Sequence, residues 1–293
     1  MIGYSRDTMV APLISSNLCA VRVPHGFSTR VGGVSVATAA ADFASLNFGN
    51  PGDLTEHRDP PAHIARNFEL LAEAIRAAGR EIVQVHQVHG AAVHVVRRGG
   101  PAHPTAHDTK ADAVVTDDPE RLLAVRVADC CPILLASGDG SVVGAVHAGW
   151  RGVVCENELG ADAGPLVVRR GVLAPAVRAM RSLGAVAIRA AIGPCISVRY
   201  FEVGPEVLAE FRGVFGADCE GRGLLRGGGT DDSSGKGFAH LQGCLREQLQ
   251  ALGVEPIDTI ARCTVGEPDL FFSHRRDKGR TGRMVGIIGP ASR

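Results

Sequence analysis

No segment of the 293-residue sequence stays apolar for the ~18 residues that a bilayer-spanning helix requires, because Arg126 and Asp129 interrupt even the richest stretch, Leu122 to Ala136. A membrane-spanning helical protein is excluded. Net charge is missing too: 31 Lys plus Arg stand against 31 Asp plus Glu, so the overall balance draws the chain toward neither nucleic acid nor an anionic membrane. The absence of any CxxC pair removes zinc ribbons and thioredoxin-type motifs. The glycine-dense segment Gly221 to Gly237 lacks the Gly-Lys-Ser/Thr of a phosphate loop and the strand-to-helix context of a dinucleotide fingerprint. No repeat at solenoid or propeller periods is found. Between Met1 and Val23, Arg6 is followed by Asp7, and the short apolar patch contains Pro12, too weak a pattern for a secretory signal. The chain is therefore expected in the cytoplasm, with its eight cysteines as reduced thiols.

What is present is an ordinary globular composition, 45% hydrophobic and 21% charged, in a chain long enough to bury roughly 75% of its unfolded surface. Short β-branched runs predict strands at Ala20 to Val23, Ile82 to His86, Ala92 to Val96, Ala113 to Thr116, Leu122 to Val127, Ile133 to Ala136, Ser141 to Val146, Val186 to Ile192 and Met284 to Ile288. Helical patterns run over Ala62 to Ala78, Leu166 to Leu183, Pro205 to Val214 and Ala239 to Leu252, and Pro175 is expected to kink or split the second. Strands follow one another without helices between Ile82 and Val146. That order predicts a single large α+β domain over residues 1–293, with a mixed, largely antiparallel sheet and flanking helices. Gly99 to Thr109 and Gly221 to Gly237 read as mobile surface loops.

Three stretches carry chemistry: Gln87-Val88-His89-Gly90, Ala128-Asp129-Cys130-Cys131-Pro132, and Val146-His147-Ala148-Gly149-Trp150-Arg151-Gly152. Each sets a nucleophilic or metal-competent side chain where a predicted strand meets a turn marked by glycine or proline. A lone histidine there can simply bond a nearby carbonyl, and a lone cysteine can fill core.

Together with Gly193-Pro194-Cys195, the FFSHRRDxxxTGR pattern of Phe271 to Arg283, His25 to Ser35 and Ser45 to Gly49, these stretches resemble the bacterial YfiH/YlmD family. That family is also called the laccase-domain or multicopper polyphenol oxidase family. The resemblance runs from about residue 20 to 289. It implies a purine nucleoside phosphorylase acting on adenosine, inosine, guanosine and S-methyl-5′-thioadenosine, with adenosine deamination as a second activity. It further implies a zinc ion held by His89, Cys130 and His147. The donor chemistry agrees, since imidazole and thiolate suit Zn²⁺ and three protein ligands leave a fourth position open. Zinc in such a site brings the pKa of water toward ~7, chemistry suited to releasing ammonia from an aminopurine. Alternation along a strand turns Cys131 away from Cys130, and His86, three residues before His89, is expected on the opposite face.

Phosphorolysis also needs an anchored phosphate, for which arginine offers a fixed fork. By motif position the candidates are Arg30, Arg151 and Arg275, with Asn47 and Gln87 as polar groups for ribose or base. Asp129 reads as an orienting carboxylate rather than a base. Trp150 either packs or covers a purine, and His274 either donates to phosphate or caps a turn. The chain departs from the family pattern where His240 precedes Leu241, in Cys155 to Pro165, and in the long glycine-rich loop.

Two other enzyme readings stay open. A copper-dependent phenol oxidase would need several coppers and a blue-copper Cys/His centre, yet the 11 histidines form no HxH series. A cysteine hydrolase acting in peptidoglycan editing would pair Cys130 with His147 or His89. The implied ligands are purine nucleosides and phosphate; no nucleic acid, membrane or obligate protein partner is indicated.

Overall fold

The computed structural model of the chain describes residues 9–100, 108–158, 165–227 and 234–292. It opens on a helical turn, α1 (Ser16–Cys19), whose Leu18 N–H donates to the Ser15 hydroxyl. Then come β1 (His25–Phe27), α2 (Pro61–Ala74), β2 (Glu81–Val83), β3 (Val93–Val96), β4 (Ala113–Thr116), β5 (Arg121–Val127), β6 (Cys131–Ala136) and β7 (Val143–Ala148). The second half holds α3 (Trp150–Val154), α4 (Leu166–Arg169), α5 (Leu173–Ser182), β8 (Arg189–Ile192), β9 (Glu202–Val203), α6 (Pro205–Phe215), β10 (Leu225–Gly227), β11 (Gly237–Ala239), α7 (Leu241–Ala251), β12 (Ile257–Thr259) and β13 (Met284–Ile288).

Six strands form one sheet in the order β12-β8-β6-β7-β4-β3, four form a second, β1-β13-β5-β2, and β10-β11-β9 form a small third. β2 with β5, β3 with β4 and β8 with β12 are parallel. Every other pairing of adjacent strands is antiparallel. The fold is thus α+β with mixed, largely antiparallel sheets, as the uninterrupted succession of strands predicts.

The period of two decides how these sheets stack. Ile133 and Leu135 of β6 share a core with Val177 and Met180 of α5, Phe211 of α6 and Leu245 of α7. Their neighbours Leu134 and Ala136 join Leu123 and Val125 of β5 instead. Leu122 and Ala124, on the other face of β5, pack with Phe68 and Leu71 of α2. Four layers result: helices, six-stranded sheet, four-stranded sheet, and α2. Strands β4, β6, β7 and β13 are buried along their whole length, which explains their continuous apolar runs.

Two expectations are corrected. Ala20 to Val23 is not a strand: Ala20 N–H bonds back to Ser16, and Val21 and Val23 are buried from a turn, the strand forming only at His25. The helical pattern of Leu166 to Leu183 does split, but at Gly171 rather than Pro175. Gly171 has φ +80°, and a Cβ there would lie 2.5 Å from the Val153 carbonyl. Pro175 stands in the first turn of α5, where its missing N–H costs nothing. Most of the Gly99 to Thr109 loop, the middle of Gly221 to Gly237, and most of Cys155 to Pro165 lie outside the described residues.

Candidate metal centre

The β6–β7 pairing sets Pro132 opposite His147 and Cys131 opposite Ala148, so the hairpin carries Cys130, just ahead of β6, to the side of His147. His89 arrives from the loop between β2 and β3. The donor atoms of His89, Cys130 and His147 lie within 4.8 Å of one another. The two imidazole rings meet edge to face, 4.9 Å between centroids. His147 is buried, Cys130 half-buried and His89 exposed, so the cluster opens toward solvent on the His89 side.

A carboxylate that sequence reasoning missed organises two of these donors. Asp112, fully buried just ahead of β4, accepts from His147 Nδ1 at 2.8 Å. It also accepts from the backbone N–H groups of Val88 (3.2 Å), His89 (2.9 Å) and Gly90 (2.7 Å). Three successive amides converging on one carboxylate fix the turn in which His89 adopts φ +60°. With Nδ1–H given to Asp112, His147 is left with Nε2 as its free donor atom, the outer-layer arrangement typical of metal-bound histidines. The signal was present: an aspartate at the head of the apolar run Ala113 to Val115 must be buried and therefore paired.

Electrostatics concentrate in the same place. Burial alone would raise the Cys130 thiol, but the charge and hydrogen bond of His147, with those of His89, outweigh it and lower its pKa to about 6. Burial would lower His147, and the Cys130 thiolate and Asp112 outweigh that and raise it. Burial likewise opposes ionisation of Asp112, whose pKa is nonetheless lowered by His147 and the Gly90 and His89 amides. The donors are thus a thiolate, a histidine fixed by a carboxylate, and a second histidine. Gly149 supplies the space around them. A Cβ there would lie 2.9 Å from Cys130 Sγ and 3.2 Å from His89 Cδ2, although its φ of −79° suits any residue. Two imidazoles and one thiolate around a space kept free of side chain fit a single divalent transition-metal ion.

Asp129, at φ +85°, locks the strand end behind Cys130. Its carboxylate accepts from Thr264 Oγ1 (2.5 Å), Ser273 Oγ (3.0 Å) and Arg275 N–H (2.6 Å). Held by these three donors, it ties the Ser273–Arg275 segment to the strand end that carries Cys130.

The cluster lines a cleft of about 550 Å³ whose walls include His86, Gln87, Arg126, Phe201, His274, Arg275 and Arg283. His86 therefore shares the cleft with His89, against expectation. The strand ends at Val83, and the positive φ at His89 breaks the alternation on which the expectation rested. Cys131 does point away, into the core beside Cys195.

The polar candidates fare unevenly. Gln87 and Arg275 line the cleft, but Gln87 exchanges two 2.8 Å bonds with the Arg126 backbone, and Arg275 donates to the carbonyls of Tyr200 (3.3 Å) and Glu202 (3.1 Å). Arg30, Asn47 and Arg151 are not on the cleft wall. Arg30 is buried and spent on the Ala44 and Pro268 carbonyls and on Asp42. Asn47 is bound to Asp59 and to the Gly49 and Arg283 amides. Arg151 lies over the Trp150 ring, 4.5 Å from its centroid, and Trp150 packs against the core. The sequence reading passed over Arg126 and Arg283. Arg126 had registered only as an interruption of an apolar run, and a lone arginine inside a buried strand is itself a site signal.

Fold and cluster together define an α+β protein with a metal-competent Cys/His₂ cluster in a cleft. Residues 24–291 match the family model described as multi-copper polyphenol oxidoreductase laccase, and the chain belongs to that family, the YfiH/YlmD proteins. A purine nucleoside phosphorylase of Deinococcus radiodurans is 38% identical over 269 residues, spanning 91% of this chain and 89% of its own. The crystal structure of Bacillus licheniformis hypothetical protein YfiH superposes with a TM-score of 0.73 at 28% identity, covering 92% of each chain. That of YlmD from Geobacillus stearothermophilus gives 0.70 at 30% identity, over 95% of this chain and 94% of its own.

Proposed function

We propose that this chain is a zinc-dependent purine nucleoside phosphorylase acting on adenosine, inosine, guanosine and S-methyl-5′-thioadenosine, with adenosine deamination as a second activity. One observation carries the reading: the cleft that holds His89, Cys130 and His147 is also lined by Arg126 and Arg283, so metal-competent donors and phosphate-competent forks face one space. The D. radiodurans relative, named a purine nucleoside phosphorylase, supports the same activity. Zinc is favoured over copper because the one three-donor cluster among the described residues suits one redox-inert ion, whereas oxidase chemistry requires several coppers. A reduced Cys130 is needed for ligation, which favours the cytoplasm.

Zinc bound at the triad would supply a Lewis acid. The protein's own groups do the rest. Val127, Ile196 and Phe201 give the cleft an apolar wall against which a purine can lie. In phosphorolysis an oxygen of hydrogen phosphate bonds to C1′ as the C1′–N9 bond breaks. The bonding pair stays with the base, and the proton lost by phosphate ends on it, giving free base and ribose 1-phosphate. In deamination, water oxygen bonds to C6 of adenosine and the C6–N bond breaks, giving inosine and ammonia.

The decisive experiment incubates the metal-loaded protein with inosine, with and without phosphate, and follows base and ribose 1-phosphate by chromatography. Base released only with phosphate upholds the reading; equal release without it, or none in either case, defeats it.

A second reading has its own observation. Cys130, His147 and Asp112 are linked as thiolate, imidazole and carboxylate, the order of a cysteine hydrolase. Under that reading activity survives chelation; under the first it does not.

A further inference from the structure

The geometry points to Arg126 and Arg283 as a two-pronged binding site for a phosphate dianion beside the metal cluster, an assignment that rests on the phosphorolysis reading and specifies where its second substrate sits.

β13 pairs antiparallel with β5, and Arg126 stands opposite Val285. Arg283, two residues before Val285, therefore falls on the same face as Arg126 and diagonal to it, the spacing at which long side chains meet. Both line the cleft with Cys130, which follows Arg126 by four residues. Their placement is built. Gln87 clamps the Arg126 backbone from both sides. Gly49 leaves room for the Arg126 side chain, since a Cβ there would lie 3.2 Å from its Cδ and 3.3 Å from a terminal nitrogen. Arg283 is steadied by donating to the Thr281 (2.8 Å) and Gly282 (3.0 Å) carbonyls.

Charge makes the pair unusual. Among the described residues, nothing accepts a hydrogen bond from the Arg126 guanidinium. Burial lowers the pKa of both arginines, and Arg126 lowers that of Arg283 further, only partly offset by Cys130, Asp129 and Asp53. Of those acids, Asp129 already accepts hydrogen bonds from Thr264, Ser273 and Arg275. Two half-buried like charges on one sheet face are unfavourable alone and become favourable when an anion bridges them. Arg275, by contrast, spends its fork on two carbonyls and serves as wall.

The same chemistry admits two sources of phosphate: free orthophosphate, or the phosphate of a nucleoside monophosphate. The test uses metal-loaded wild type and Arg126→Met, a swap of similar length that removes the fork, with Arg283→Lys as a second variant that keeps charge but not the bidentate geometry. Orthophosphate and adenosine 5′-monophosphate are each titrated calorimetrically, with adenosine as reference, and metal content and melting are checked in parallel. Loss of the charged hydrogen bonds is expected to weaken phosphate binding roughly 10- to 100-fold in Arg126→Met, with adenosine affinity and metal content unchanged. Weakening confined to orthophosphate identifies the free anion as ligand; weakening confined to the monophosphate identifies the nucleotide. Equal binding of both anions by wild type and Arg126→Met, or no binding of either, overturns the assignment. Kinetics separate this from the broader reading. Phosphate-dependent base release with an unaltered phosphate KM in Arg126→Met sinks the subsite and spares the function, whereas Arg126-dependent phosphate binding without base release does the reverse.

Discussion

Asp112 binds His147 Nδ1 through the same carboxylate oxygen, Oδ1, that accepts the His89 backbone amide. One buried side chain thus sets the tautomer of one metal-competent histidine and the turn that presents the other. The hydrogen bonds run over sequence separations of 35 and 23 residues, so the coupling exists only in the folded chain.

From this follows the effect of Asp112→Asn. An amide has one acceptor oxygen where four N–H donors now converge, and its NH₂ group opposes those left over. Either the turn or the imidazole must give. Metal affinity is expected to fall about 10- to 100-fold, the usual cost of losing such an outer partner. Competition against a chromogenic chelator measures it, and an affinity equal to wild type would show that Asp112 serves stability alone.

Gly149→Ala tests the space around the donors. The added methyl would stand 2.9 Å from Cys130 Sγ, while the backbone there is ordinary. Metal content is expected to drop sharply with the melting temperature of the metal-free protein lowered by only a few degrees, because alanine at a helix start costs about 1 kcal/mol relative to glycine. Full metal occupancy in the purified variant contradicts the prediction.

His25 gives the protein a pH dependence away from the site. Its Nε2 accepts from Ser15 N–H at 3.0 Å and its Nδ1 donates to the Val23 carbonyl at 2.9 Å, so the ring is buried in its neutral form. Burial lowers its pKa below 6.5, against the raising effects of those backbone bonds and of Asp258. The unfolded chain then binds the proton more readily than the folded one, so this contribution to stability is intact above about pH 6.5 and is lost as pH falls through the folded-state value. Denaturant midpoints at pH 7.5, 6.5 and 5.5 should decline for wild type and decline less for His25→Gln. Parallel declines would place the acid sensitivity elsewhere.

The sequence made the three members of the metal-competent cluster visible because each lies where an apolar strand breaks at a glycine or proline, and the uninterrupted strand order made the α+β class visible. Contacts across the chain were not. Asp112 reads locally as a polar residue heading an apolar run, and nothing nearby says that four donors await it. Arg30 looked available for phosphate, but the carbonyls of Ala44 and Pro268 that consume it come from separate loops. Strands such as β9, β11 and β12, only two or three residues long, carry too few positions to show a period of two. The break at Gly171 was anticipated, yet assigned to Pro175, because a proline's fixed φ can be read from sequence whereas a glycine's close approach to Val153 cannot.

His89 discriminates between the two enzymatic readings better than Cys130 does. Cys130 and His147 belong to both a metal cluster and a thiol dyad, so Cys130→Ala silences either. His89 is required only by the metal: a dyad completed by Asp112 has its base in His147 and its orienting acid in place. His89→Ala is therefore expected to lose bound metal and phosphorolysis together, by roughly a hundredfold or more in kcat as the Lewis acid goes. Its fold should be retained, since the residue is exposed and its turn is held through backbone amides. Metal analysis and phosphate-dependent base release on the same preparation decide the matter. A metal-free His89→Ala protein that still turns over would make Cys130 a nucleophile rather than a ligand.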